Sequence, residues 1–375
     1  MRKKKFLLNF TLVVIPLIII EIFSSIIIYQ KEKETGLLFS LFYSKKNLQV
    51  NYKINWDYRT NKVIPGEYKT KLRDGRIVKY TINSKGFRNK EFNTKKNTEH
   101  RIISFGGSTT MGIESPDDRT YPAILEQILI DKNIDAEVLN FGFGSKSLNF
   151  IRELYLLESL TYKPDFISIY SARNSIMHDS IGTKLRNDTV NNPKLQEINF
   201  FLINNIMSFR LLYKIYKKIL SSNIDTKKII SPFNEKIEHN IYYFSEQYFN
   251  TIKQIVDHAD KNEIKVILIK QAFYINPKIQ KIIREKTLDN LINTLQNLRK
   301  IKTYDLSYKD IFWIVTITIL NKQLEKFNHY ENVIIVDPTD DLIESKKNFE
   351  DFLHLTDKGN YILANSIFKE IKNKF

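Results

Sequence analysis

Ser108 follows a short apolar run, RIISF (101–105), in the string Phe105-Gly106-Gly107-Ser108-Thr109-Thr110-Met111-Gly112. A serine hydroxyl is a poor nucleophile until a neighbouring base takes its proton. The two preceding glycines let the backbone turn tightly and leave room for a ligand. Much later comes Asp351-Phe352-Leu353-His354, between an apolar run and the last helical segment. Imidazole exchanges protons near neutrality and suits the role of base. A carboxylate three residues earlier can turn back to hold the ring's other nitrogen. Two more strings hold potential oxyanion donors. Asn140-Phe141-Gly142-Phe143-Gly144-Ser145 offers backbone N–H groups, and Ser171-Ala172-Arg173-Asn174-Ser175 offers the Asn174 amide. Each string taken singly also reads as an ordinary turn or cap. Neither a Walker-type nor a dinucleotide-type glycine pattern is present.

The elements that must position these residues are read from hydrophobic spacing. Short runs rich in Ile and Val at 101–105, 136–141, 165–170, 265–269 and 332–337 read as strands. Helical spacing separates them over Tyr121–Leu129, Leu148–Leu160, Phe244–His258, 280–300 and 311–328, and again over Lys358–Ile371. Strands alternating with helices predict an α/β domain, a three-layer parallel sheet flanked by helices, over 101–375. Ligands of such sheets bind outside the carboxyl ends of the strands. The Ser108, Ser145 and Asn174 strings each follow a strand directly, and the His354 string follows the last one. Residues 180–240 break the alternation and predict a helical insertion. Residues 31–100 form a small collar or linker, with GEYKTKL and GRIVKYTI as short strands and Asp74-Gly75 as a hairpin turn.

Composition narrows the chemistry. The chain has 375 residues, and 42% hydrophobic content with 27% charged residues allows a large core. The absence of cysteine excludes disulfides, thiolate metal sites, iron–sulfur clusters and a cysteine nucleophile. The formal charge of +16 comes from lysines spread along the chain among Glu and Asp, a pattern of solvated faces, and no nucleic-acid partner is expected.

The N-terminus predicts a membrane anchor. Basic residues Arg2 to Lys5 precede a predominantly apolar stretch, Phe6 to Tyr29, long enough as a helix to cross about 30 Å of hydrocarbon. Pro16 and Glu21 interrupt it, and a cleaved signal peptide is the rival reading. The positive flank places residues 1–30 as a cytoplasmic tip plus single span, a signal-anchor with membrane lipid as partner, and the main domain on the periplasmic or extracellular side. Ile311 to Leu320 (IFWIVTITIL) is too short to span and reads as core or a lipid-side patch.

Together the four strings resemble the blocks of the SGNH hydrolase superfamily, also called the GDSL esterase/lipase superfamily, over roughly 101–371. Gly106-Gly107-Ser108 corresponds to the usual Gly-Asp-Ser, and Asp351 and His354 to the final Asp-x-x-His. The resemblance implies that Ser108 is the nucleophile and its N–H the first oxyanion donor, with His354 the base and Asp351 its orienting acid. The second-block glycine falls on Ser145, with Gly144 one residue early. In the third block Asn174 is kept while its flanks change, to Ala172-Arg173 and Ser175. INSKGFRNKEF (82–92), with Asn83, Gly86, Phe87 and Arg88, resembles the lead-in of membrane-tethered bacterial members and implies docking of the collar. The implied reaction is hydrolysis of a small acyl ester through an acyl-enzyme, the ester being an O-acetyl group on a cell-envelope glycan, with no metal or cofactor. An O-acyltransferase, or a non-catalytic envelope glycan-binding or assembly protein of the same fold, remains the alternative.

Overall fold

A computed structural model describes residues 16, 18–27, 56–57, 62–72, 74–175, 208, 211–212, 235–284, 288–301, 306 and 308–375. The chain divides into two compact units, one of residues 1–49 with 185–231 and the other of residues 50–184 with 232–375.

In the first unit, residues 18–27 are helical. Glu21, Ser24 and Ser25 are buried, and the Glu21 carboxylate accepts hydrogen bonds from the Ser208 N–H (2.9 Å) and hydroxyl (2.7 Å). A carboxylate satisfied by another segment of its own chain meets protein where the sequence predicts hydrocarbon. Among the described residues no helix is long and apolar enough to cross a membrane. The expected transmembrane helix is therefore corrected. The signal-anchor, the lipid partner, the single-pass topology and the membrane-tethered type of resemblance fall with it. Most of the predicted 180–240 insertion lies outside the described residues.

The second unit begins with two antiparallel pairs. β1 (Trp56–Asp57) pairs with β2 (Lys62–Val63), and β3 (Gly66–Lys71) pairs with β4 (Ile77–Ile82). The β3–β4 turn closes through Leu72 N–H to the Arg76 carbonyl (2.8 Å), with Gly75 at φ 90°.

A five-stranded sheet follows, with β5 (His100–Gly106), β6 (Ala136–Gly142), β7 (Phe166–Tyr170), β8 (Lys265–Ile269) and β9 (Val333–Val336). Its order is β6-β5-β7-β8-β9, and every pairing is parallel. Hence the winding reverses beside β5, which leaves a crevice at the carboxyl ends of β5 and β7. The register pairs Gly106 with both Gly142 and Tyr170, so the strings that follow these three strands leave the sheet at one level.

Both faces are covered, as strands apolar on both sides require. Ile103, Phe105, Ile167, Ile169, Val266 and Leu268 share one core. It also holds residues of α3 (Leu148–Tyr162), α4 (Glu235–Lys261) and α7 (Tyr308–Glu325). Ile102, Val138, Ile267 and Ile269 point the other way, into a core shared with α2 (Tyr121–Asp131) and α9 (Asp357–Ile371). Further helices among the described residues are α1 (Ser108–Met111), α5 (Pro277–Arg284), α6 (Leu288–Arg299) and α8 (Thr339–Ile343). The apolar run Ile311–Leu320 forms the middle of α7, with most of its side chains buried in two cores. It is interior and offers no lipid-side patch.

Candidate active site

Ser108 is the first residue of α1, and Gly107 caps that helix. The first N–H groups of a helix lack intrahelical acceptors, and the Ser108 N–H is one of them. Three contacts hold α1 in place against the sheet and α2. The Asn140 amide donates to the Thr110 carbonyl (2.9 Å), the Thr110 hydroxyl meets that of Tyr121 (3.3 Å), and Gly142 lies beneath the α1 backbone. A Cβ on Gly142 would stand 2.3 Å from the Met111 nitrogen, so only glycine lets β6 approach this closely.

The segment carrying His354 is built by its own hydrogen bonds. Phe349 bridges Leu355 in antiparallel fashion, and the Glu350 N–H donates to the His354 carbonyl (2.8 Å). Inside this loop the Asp351 Oδ1 accepts the N–H groups of Leu353 and His354, both at 2.8 Å. Its Oδ2 lies 2.9 Å from His354 Nδ1. Thr356, two residues beyond the histidine, caps α9. The imidazole is thereby turned so that Nε2 lies 2.8 Å from Ser108 Oγ, across 246 residues of sequence. An Nδ1–H held by Asp351 leaves Nε2 as the acceptor of the serine proton.

Burial would raise the Asp351 carboxyl. The hydrogen bond and charge of His354, with the two backbone N–H groups, outweigh that and hold it far below the usual carboxylate range. Burial would likewise depress His354, but the bond to Asp351 and the charges of Glu114 and Asp351 raise it on balance. Glu114 does not appear in the sequence reading. Its Oε1 lies 3.8 Å from His354 Nε2. Burial raises its carboxyl, partly opposed by His354. Only its position six residues after Ser108, on the loop leaving α1, could have drawn attention to it.

The oxyanion candidates are placed unequally. The Gly144 N–H points at Met111 Sδ (3.3 Å), whereas Ser145 takes a left-handed backbone, φ 59°. Asn174 stands beside the Gly107–Ser108 turn, since a Cβ on Gly107 would lie 2.7 Å from its Nδ2. Ser175 accepts the Leu148 N–H (3.1 Å) at the start of α3. Arg173 lies over the rings of Trp313 and Phe352, 4.9 Å from each centroid.

Residues 82–92 support the loop that follows Ser108. Phe87 stacks on Phe141 at 3.7 Å between centroids. The buried Arg88 guanidinium donates to the carbonyls of Met111 (2.7 Å), Gly112 and Ser115, and to Asp117 Oδ1 (3.2 Å). Asn83 holds the turn by accepting the N–H groups of Lys85 (3.1 Å) and Phe87 (3.0 Å). Among the described residues no group of His, Asp and Glu is placed to hold a metal ion.

No family model matches the chain, and no curated protein matches it. Solved structures with a similar chain path include a GDSL-like lipase from Bacteroides thetaiotaomicron, at 13% identity over 76% of this chain and 93% of that one, TM-score 0.39. An acetyl xylan esterase from Geobacillus stearothermophilus shows 12% identity over 73% and 95%, TM-score 0.39. A lipase/acylhydrolase from Enterococcus faecalis shows 13% over 73% and 96%, TM-score 0.41. Similarity at this level carries no chemistry across.

Proposed function

We propose that this protein is a serine-dependent esterase acting on small acyl esters through an acyl-enzyme. The observation that carries the reading is the unbroken line from Asp351 through His354 to Ser108, with contacts of 2.9 and 2.8 Å. His354 Nε2 takes the Ser108 proton as Oγ attacks the ester carbonyl. Asp351 holds the ring in the tautomer this needs and stabilises the imidazolium that forms. The Ser108 N–H, the Asn174 amide and the N–H of Ser145 supply the oxyanion donors. Gly144 is the weaker candidate because its N–H is directed at Met111. The imidazolium then returns its proton to the leaving alkoxide, and water, activated by the same ring, releases the acid. The envelope-glycan substrate is dropped, since it rested on the membrane anchor.

The test is hydrolysis of para-nitrophenyl acetate by the full chain and by Ser108→Ala, alongside labelling by a fluorophosphonate. Loss of the nucleophile should lower kcat/KM by about 10⁴ or more and abolish labelling. Equal rates in the two proteins, with no label on Ser108, would end this reading.

A further inference from the structure

Arg173 is one residue before Asn174 on the segment leaving β7, and it is half-buried. Its guanidinium lies over two rings, Trp313 from α7 and Phe352 from within the Asp351–His354 loop, whose centroids are 6.5 Å apart. Aromatic faces attract a cation but leave its N–H groups unsatisfied, because a ring face is a poor substitute for an oxygen acceptor. The Nε–H is buried and meets no acceptor. Among the described residues no carboxylate forms an ion pair with Arg173. The negative charge that acts on it is that of Asp351, whose oxygens accept from His354 and Leu353. A guanidinium anchored by aromatic rings keeps its planar fork of N–H donors, whose geometry matches a carboxylate in two parallel bonds.

We infer that Arg173, oriented by Trp313 and Phe352, is the anion subsite of this active site, and that the preferred ester carries a carboxylate on its acyl or its alcohol portion. The inference names the substrate class of the esterase proposed above and rests on that reading for turnover. The anion site itself stands on the geometry of Arg173 alone.

The experiment has two arms for the position of the charge and one that needs no turnover. For the acyl side, the para-nitrophenyl half-ester of adipate is compared with para-nitrophenyl hexanoate. For the alcohol side, para-acetoxybenzoate is compared with para-acetylphenyl acetate. Wild type should favour the anionic ester at least tenfold in kcat/KM in one arm, chiefly through KM. Arg173→Met keeps the apolar stem over the rings and should bring that ratio near one, with Arg173→Lys between the two. In the third arm, calorimetry on the full chain should detect adipate binding that weakens at least tenfold in Arg173→Met. Ser108-dependent turnover of the neutral esters with no anion preference and no adipate binding overturns the anion subsite and leaves the esterase standing. Adipate binding lost in Arg173→Met, with no turnover of any ester, upholds the subsite and removes the esterase. A preference or binding that survives in Arg173→Met assigns Arg173 to packing and overturns the inference.

Discussion

Under the proposed mechanism three residues, Ser108, His354 and Asp351, decide whether the site can react, and a fourth, Glu114, tunes when. His354 must be neutral to accept the Ser108 proton, yet Asp351 and Glu114 both favour its charged form. The acid limb of the pH–rate profile should therefore lie above the ordinary imidazole value of 6.5. Glu114 lies beside Nε2, the nitrogen proposed to take the serine proton, and is bonded to neither Ser108 nor Asp351. Glu114→Gln should move the acid limb to lower pH while leaving a bell or plateau of the same form, measured as kcat/KM for para-nitrophenyl acetate between pH 5 and 9. A limb that stays in place would make Glu114 a bystander. Ser108, His354 and Asp351 are legible in sequence because each belongs to a compact string. Glu114 is not, since a glutamate six residues after a nucleophile has no pattern of its own. The environment of Arg173 is equally hidden, because its two rings come from segments about 140 and 179 residues away.

At the scale of elements, hydrophobic spacing located the strands well. Lys265–Ile269 is found as read, and the other four strands differ by a residue or so at their ends. Helix ends were harder. α4 begins at Glu235, nine residues before the apolar spacing suggested, because its first turns carry polar residues. The segment 280–300 is two helices, α5 and α6. In α7 the β-branched Thr316-Ile317-Thr318-Ile319 favours a strand by local preference, but burial in surrounding cores outweighs a few tenths of a kcal/mol per residue. Arg88 shows how a loop can be fixed without regular structure. Its guanidinium satisfies three carbonyls on the loop that follows Ser108. Replacing it by Met strands those buried acceptors, so Arg88→Met should cost about 3 kcal/mol or more in urea unfolding and lower kcat/KM as the loop loosens. A change below about 0.5 kcal/mol would show that water replaces the guanidinium freely.

For the molecule as a whole, the Asp351–His354 pair links activity to stability. The folded Asp351 titrates below its ordinary value of 3.8, so its contribution is present above that pH and is lost as pH falls towards the folded value. The folded His354 titrates above 6.5, so its contribution is complete below 6.5 and is lost as pH rises through the folded value. The pair therefore stabilises the fold most between about pH 4 and 6.5, the range in which the protonated ring cannot act as base. Thermal unfolding of wild type and His354→Ala should show the largest Tm difference near pH 5 to 6 and a smaller one at pH 9. A difference independent of pH would mean that the pair adds packing but no linked charge.

The amino-acid sequence by itself determined the alternation of strand and helix, and with it the edge of the sheet where Ser108, Ser145 and Asn174 emerge. That much is local, since apolar runs mark strand ends and parallel strands send all their carboxyl ends one way. The sequence also suggested a membrane helix, because an apolar run carries no record of what it packs against. Tertiary structure decided that Glu21 meets Ser208, that His354 reaches Ser108, and that Glu114 and Arg173 flank the pair. Each of these is a contact between segments far apart in the chain, set by how helices and loops pack on the sheet, which no local spacing encodes.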